Sequence, residues 1–291
     1  MSIRQGRAGR PRPGRPLPLR SRSVAALVAA SALGVVAFCW PLLAHPSPGV
    51  GHDSDAPWLF ALLVPLVLVV VLAELASGGL DAKAVALLGV LTAVTAALRP
   101  VAGEATGVQP MFVVLLLAGR VLGPGFGFAL GALSMFTSAL LTGGVGPWLP
   151  FQMLGAAWLG MVAGLLPPAR GRRELVLLAT VGLVGGLAYG LLLDLWFWPF
   201  ATGYGSAIAF VPGAPLVVNL HHLAAFWLAT SLGFDVPRAV GNAVLVLVAG
   251  APVLRALRRA SRRACFVPAT APPPPVATPV PLAAVPGTPG V

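Results

Sequence analysis

Apolar runs close to membrane-spanning length recur along this chain, and they constrain its fold more than any other feature. They occupy residues 24–44, 58–76, 83–98, 111–122, 126–141, 150–166, 175–198 and 238–257. Only 9% of the residues are charged, against roughly 25% in soluble domains, which excludes a water-soluble enzyme, a collagen and a disordered protein. The sequence therefore predicts an all-α polytopic integral membrane protein.

Basic residues set the predicted topology, because Lys and Arg accumulate on the cytoplasmic side of membrane proteins. Seven arginines lie within 1–22, three within 170–173 and five within 255–263. Placing these groups inside leaves Arg99 and Arg238 outside. It also requires 216–232 to be re-entrant or to lie at the interface instead of forming a full span. Both termini are then expected in the cytoplasm.

Composition divides the chain into four parts. Residues 1–22 are a basic tail, 23–80 hold two transmembrane helices, 81–260 form a six-helix core and 261–291 are a Pro-rich tail. Both tails are expected to be disordered and cytoplasmic, because prolines break helices and like charges repel. Basic tails on an apolar body match anionic lipid headgroups, so the bilayer is the expected partner and nucleic acid is not.

The run 111–122 is too short to span a bilayer alone. At about 1.5 Å per residue it covers about 18 Å, less than the roughly 30 Å of a hydrocarbon core. It has to extend back towards Gln109, thin the bilayer, or sit inside the bundle.

The segment GGVGPWLPFQM at 143–153 is the most informative stretch. Its glycines permit close approach, Trp148 supplies a flat apolar surface, and Gln152 supplies an amide that donates and accepts. This combination suits an amphipathic organic ligand, but an interfacial Trp anchor beside a helix start explains it equally well. Tyr189, Asn219 and Asn242 are further substrate-binding candidates, because polar groups at membrane depth are often functional.

Small residues form a stripe on the run 83–98. Gly89, Ala93 and Ala97 follow one another at four-residue spacing, which lets another helix approach closely. The spacing fits two roles. The stripe is either a docking face for a partner subunit or an ordinary packing surface within the bundle.

Motifs for cofactors are missing from the sequence. The chain has no P-loop, so ATP-driven work requires separate ATPase subunits, and no cofactor is expected in this chain. Cys39 and Cys265 are isolated and lack the spacing of metal ligands, so no metal site is expected either.

Two alternative functions remain open from the residues alone. A membrane-embedded enzyme would use polar side chains on a lipid-linked substrate, with His221, His222, Asp194 and Asp235 as the candidates. A stand-alone secondary transporter would normally show inverted repeats, and none is evident in the sequence.

Several segments, in a fixed order, resemble the substrate-binding S components of energy-coupling factor (ECF) vitamin transporters, particularly the actinobacterial ones. These segments are AALR at 96–99, LAGRVLGP at 117–124, GFGFALGA at 125–132, GPWLPFQM at 146–153 and FDVPRAVGNA at 234–243. The resemblance covers roughly 81–260, and GPWLPFQM is its most specific part.

The resemblance implies a six-helix membrane subunit that is not an enzyme and binds a vitamin-type substrate near the outer face. It also implies a T component and two ATPase subunits as partners, with Gly89, Ala93 and Ala97 on the docking face. Two features depart from the family pattern. Residues 24–76 add two helices before the core, and the segment 199–236 is long for the connection before the last helix.

Overall fold

The computed structural model describes residues 21–43, 82–101, 106–201 and 207–264. Within these ranges the chain is helical and contains no strand. The elements are α1 (Ser21–Leu43), α2 (Ala82–Leu98), α3 (Met111–Leu122), α4 (Pro124–Thr142), α5 (Leu149–Leu165), α6 (Arg172–Phe197), a 3-10 turn (Trp198–Phe200), α7 (Leu216–Phe226), a π-helical turn (Trp227–Ser231) and α8 (Leu232–Ala264). The expected all-α fold is confirmed, and the six core spans correspond to α2 through α6 and α8.

Among the described residues, three helical stretches are long and apolar enough to cross a membrane alone. They are Pro124–Thr142, Arg172–Phe200 and Leu216–Arg262. The shorter apolar stretches are Leu27–Leu42, Lys83–Leu98, Met111–Leu122 and Leu149–Leu165. This pattern is that of a multi-pass membrane protein.

The short helix α3 is the centre of the bundle. It contacts α2, α4, α5, α6 and α8, and nine of its 12 residues are buried. A helix that is apolar on every side is stable where neighbours surround it. Of the three explanations for its shortness, the structure therefore supports a position inside the bundle.

Glycines bring α3, α4 and α5 together backbone to backbone. Gly123 alone joins α3 to α4, and its φ of 102° is one that side-chain-bearing residues rarely adopt. A Cβ atom on either Gly119 or Gly127 would collide with the carbonyl group of Gly160 in α5. The three helices can therefore cross at a distance that no larger residue allows.

Helix α1 packs against the six-helix core. The rings of Phe38 and Phe151 lie edge to face with centroids 5.0 Å apart, and Trp158 Nε1 donates to Ser31 Oγ at 3.0 Å. The second predicted extra helix, 58–76, lies outside the described residues, as do 1–20 of the basic tail. Helix α8 continues to Ala264, four residues into the predicted Pro-rich tail, and 265–291 lie outside the described residues.

The chain stays helical from α7 through the π turn into α8. Phe226 and Leu232, which flank this turn, both have right-handed helical dihedral angles. The re-entrant alternative for 216–232 is therefore wrong, because re-entry requires a reversal of the chain, while a position at the interface stays a prediction. The stretch Leu216–Arg262 has 47 residues and is about 70 Å long, more than twice a hydrocarbon core.

The long connection before α7 forms a small second core. Trp198 is buried against Leu223 and Phe226 of α7, and its Nε1 donates to the carbonyl oxygen of Ile208 at 2.7 Å. Phe210 packs edge to face on the Trp198 ring, with centroids 5.1 Å apart. The described part of the segment 199–236, which departs from the family pattern, therefore packs on the rest of the fold.

The bundle has two ends, which we name after residues. At the Trp148 end, α2, α4 and α6 finish and α3 and α5 begin; the opposite end is the Arg120 end. Most described basic residues lie at the Arg120 end. The two arginines at the Trp148 end, Arg99 and Arg238, are buried or partly buried, so both arginines that the topology argument placed outside are directed into protein.

Candidate functional site

Trp148 lies in the loop between α4 and α5, directly before α5. Its ring lies on Gly146, where a Cβ atom would collide with it, and its Nε1 donates to the carbonyl oxygen of Gly144 at 3.2 Å. The side chain is 43% exposed. The glycines of this loop therefore hold an indole that remains open at the end of the bundle.

Gln152 in the first turn of α5 contacts an arginine from another helix. Arg99 follows α2, and its Nη2 donates to Gln152 Oε1 at 3.2 Å. The second terminal nitrogen, Arg99 Nη1, is buried and has no hydrogen-bond partner among the described residues. Gln109 Oε1, just before α3, is also buried without a partner there. A cationic donor and an amide acceptor are thus both unsatisfied near this end.

Tyr189 of α6 lies deeper, below Gln152. Its ring packs edge to face on Phe112, with centroids 4.8 Å apart, and the guanidinium carbon of Arg238 lies 5.3 Å from its centroid. Gly155, three residues after Gln152, packs on the Tyr189 ring, and a Cβ atom there would lie 2.8 Å from it. The structure thus gathers Arg99, Gln152, Tyr189 and Arg238 in one region.

A ladder of contacts joins α6 to α8. It uses every fourth residue of α6, namely Gly182, Gly186, Gly190 and Asp194. A Cβ atom on Gly186 would lie 2.7 Å from Ala239 Cα, so only glycine permits this approach. Asn242 Nδ2 donates to the Gly182 carbonyl oxygen at 3.3 Å, and Ser231 Oγ donates to Asp194 Oδ1 at 2.7 Å.

Asp235 is the acidic centre of this ladder. Its carboxylate lies over Gly190, forms an ion pair with Arg238 and accepts a 2.7 Å hydrogen bond from Trp227 Nε1. Arg238 Nη1 also donates to the carbonyl oxygen of Gly186 at 3.4 Å. Unlike Arg99, Arg238 is therefore neutralised within the protein.

The two asparagine candidates differ in their remaining hydrogen-bonding capacity. Asn242 is buried, and its Oδ1 has no partner in the described part of the chain. Asn219 is also buried, but it accepts from the backbone nitrogen of Val211 at 3.1 Å and donates to the Val211 carbonyl oxygen at 3.0 Å. These bonds fasten the connection before α7 and favour a structural role for Asn219.

The side chains of the enzyme alternative are engaged in separate contacts. His222 Nδ1 lies 2.8 Å from the carbonyl oxygen of Ala209, and His221 is exposed. Asp194 and Asp235 are held by Ser231 and Arg238. Within the described ranges, no group of three or more His, Cys, Asp or Glu side chains is placed to hold a metal ion.

Comparison with protein families decides the class of the molecule. The model of the family "ECF transporter, substrate-specific component" matches residues 83–250, more than half of the chain. This chain belongs to that family. Searches among curated proteins and among solved structures gave no match. The resemblance seen in the sequence is thus confirmed, and the matched range begins in α2 and ends in α8.

Family membership makes the chain a substrate-specific component, or S component, of ECF transporters. S components are transporter subunits and not enzymes. The matched range contains all five substrate-binding candidates, Trp148, Gln152, Tyr189, Asn219 and Asn242. Helix α1 precedes this range, so it is an addition to the family's core.

The small-residue stripe of this S component lies on an open face of α2. Gly89, Ala93 and Ala97 are all exposed, and a Cβ atom on Gly89 would meet nothing within 4 Å. Packing of this stripe within the described bundle is therefore not its role, and docking of a partner remains a prediction.

Reasoning from the sequence missed Arg99 and the ladder of this S component. The topology argument places Arg99 on the outer side of the membrane, and only the fold shows that its side chain contacts Gln152 of α5. The ladder carried a readable signal, because glycine recurs at four-residue spacing at 182, 186 and 190 and Asp194 continues the series.

Proposed function

We propose that this S component is the substrate-binding subunit of an ECF importer for a small, vitamin-type micronutrient. In this proposal it works with a T component and two ATPase subunits, which hydrolyse the ATP. The observation that carries the proposal is the partly buried Arg99, which has an orienting amide partner and an unoccupied donor but no acidic partner among the described residues.

The energetics of Arg99 favour a ligand. A buried donor without a partner costs about 1–3 kcal/mol, and more when it is charged. A substrate that supplies a carboxylate or carbonyl oxygen to Nη1 recovers this free energy on binding. Trp148 offers a ring face, Gln152 holds the guanidinium, and Tyr189 and Asn242 are deeper contacts. Few fixed polar groups in apolar surroundings are typical of small-molecule sites.

The proposed orientation places the Trp148 end outside the cell membrane and both termini in the cytoplasm. It follows from the basic residues at the Arg120 end, since such residues favour the cytoplasmic side. The loops at 99–110 and 142–149 then flank the entrance and act as gates, although 102–105 lie outside the described residues.

Assembly and ligand content together test this function. The tagged full chain is co-expressed with the T component and ATPases of its own genome, purified, and its small molecules are extracted for mass spectrometry. We expect a stable four-subunit complex and one enriched compound, which is then used for calorimetry. The double variant Trp148→Ala with Gln152→Ala should lose that compound while remaining folded. Failure to assemble, or unchanged ligand binding by the variant, would contradict the proposal.

A further inference from the structure

A basic cavity lies at the Arg120 end, far along the bundle from the proposed substrate site. Its volume is about 450 Å³, and it is enclosed by α3, the end of α5, the following loop, α6 and α8. Its charged lining residues are Arg120, Arg170, Glu174, Arg258 and Arg262. Four guanidinium groups against one carboxylate leave a formal excess of three positive charges.

Three of these residues build the wall of the cavity. Glu174 is buried and accepts from Arg120 Nε at 2.8 Å and from Arg258 Nη2 at 2.6 and 2.7 Å. The terminal nitrogens of Arg120 donate to backbone carbonyl oxygens, among them that of Leu166 at 2.8 Å. This arrangement holds the loop after α5 in place. It also pairs Glu174, the only acidic residue among the described residues that line the cavity, with two arginines.

The side chains of the remaining two arginines have no partner among the described residues. Arg170 and Arg262 are exposed and form no hydrogen bond or ion pair with any other residue of the described ranges. Among the described residues that line the cavity, the positive charges are therefore not neutralised, and the cavity is complementary in charge to an anion.

An apolar groove adjoins the basic cavity and indicates which kind of anion fits. The groove has a volume of about 470 Å³ and is lined by α1, Pro124 and the end of α5. Leu165 lines the groove, while its neighbours Gly164 and Leu166 line the cavity. Gly164 in turn packs on Pro124. Inorganic phosphate has no apolar part that could contact the groove, whereas a phospholipid has an acyl chain that could occupy it.

We propose that the cavity binds the phosphate of an anionic phospholipid, with an acyl chain in the adjoining groove. Basic pockets between membrane helices are suited to such headgroups. This site lies at the opposite end of the bundle from Arg99 and is independent of the proposed function. Arg170 and Arg262 contact the headgroup, and the Arg120–Glu174–Arg258 cluster holds the walls in position.

Native mass spectrometry of the purified full chain tests the proposal. The protein in detergent is titrated with dioleoyl-phosphatidylglycerol or with dioleoyl-phosphatidylcholine, which share their acyl chains. We expect one tightly held phosphatidylglycerol and markedly weaker phosphatidylcholine binding. Equal binding of the two lipids by the wild-type protein would overturn the proposal without any variant.

Paired charge variants locate the site. Arg170→Gln with Arg262→Gln should weaken phosphatidylglycerol binding about thirtyfold, from a roughly fivefold contribution per arginine. The control, Arg172→Gln with Arg259→Gln, removes two exposed arginines from the same end that do not line the cavity, and should change binding little. If both pairs of substitutions weakened phosphatidylglycerol binding equally, the effect would come from general surface charge, and the proposed site would be wrong.

Two further measurements separate other anions from a lipid. Inorganic phosphate at millimolar concentration should fail to displace phosphatidylglycerol, because it lacks the acyl chain; full displacement would assign the cavity to a free anion. The variant pair should also still assemble with the T component. Loss of assembly with phosphatidylglycerol binding retained would assign the arginines to a protein partner instead.

Discussion

Arg99 and Gln152 are 53 residues apart in the chain, and they meet through a 3.2 Å hydrogen bond from Nη2 to Oε1 that links the end of α2 to the start of α5. Arg238, the other arginine of the Trp148 end, lies against Asp235. One guanidinium is thus neutralised within the protein and the other is not. We therefore expect Arg238 to contribute to the stability of the fold and Arg99 to contribute to ligand binding.

Arg99→Met should leave the free energy of unfolding within about 1 kcal/mol of wild type, because it removes a charge that has no acidic partner to lose. The same variant should lose the compound that co-purifies with the wild-type protein. Unfolding in mixed detergent micelles and mass spectrometry measure the two effects. A large loss of stability would show that Arg99 is structural.

Asp235→Asn should be far more disruptive, because it leaves the guanidinium of Arg238 buried without a counter-charge. Breaking such a pair costs about 3–5 kcal/mol. The double variant Asp235→Asn with Arg238→Gln should recover much of this loss in the same unfolding measurement. If the double variant were as unstable as the sum of the single variants, the pair would not be the cause.

Gly186→Ala should destabilise the α6–α8 contact by about 1–3 kcal/mol, the usual cost of overpacking. The added Cβ atom would lie 2.7 Å from Ala239 Cα, a backbone atom that cannot move aside. Gly89→Ala is the matched control, because its Cβ atom would meet nothing within 4 Å. The control should be neutral or stabilising by up to about 1 kcal/mol. Similar melting temperatures for the two variants would show that the close approach of Gly186 to α8 does not contribute to stability.

Asn219→Ala should cost roughly 2 kcal/mol, because both backbone groups of Val211 lose their side-chain partner. Asn219→Asp keeps the acceptor for the Val211 nitrogen and should be less harmful. Ligand affinity, measured by calorimetry on the variant that remains folded, should be unchanged. If Asn219→Asp bound the ligand more weakly while its free energy of unfolding stayed at the wild-type value, Asn219 would be a ligand contact and not a structural residue.

Ala93→Trp should weaken assembly with the T component at least about tenfold, or 1.4 kcal/mol, because a bulky ring prevents close helix approach on a small-residue face. Val94→Trp is the control, since Val94 is 47% exposed on α2 and points about 100° around the helix from Ala93. Both variants should keep wild-type stability. Co-purification of the T component measures the effect, and an equal response would rule out the stripe as the docking face.

The sequence predicted the helices well, because apolar runs and prolines are local signals. All six core spans have a matching helix, and the short run 111–122 has the same bounds in the structure. The continuity of α7 and α8 was not predictable in this way. Asp235 and Pro237 together indicate a helix start, whereas the helix already begins at Leu232 and the Asp235 carboxylate is bound by Arg238 and Trp227.

The candidate site was predictable only in part, because side-chain partners depend on how helices pack. Trp148 and Gln152 follow from a local motif, and their placement at one end of α5 follows too. Arg99 required knowing that α2 ends beside α5. The distinction between Asn219 and Asn242 required the Val211 bonds, which no spacing within the sequence reveals.

The backbone contacts of Gly119 and Gly127 with Gly160 also restrict the motions of this protein. Helices that touch without intervening side chains cannot slide past one another, since any axial displacement drives carbonyl groups into the opposing chain. The trio α3, α4 and α5 therefore moves as a single block. We therefore expect any motion that admits a solute to occur in the remaining helices and loops and not between α3, α4 and α5.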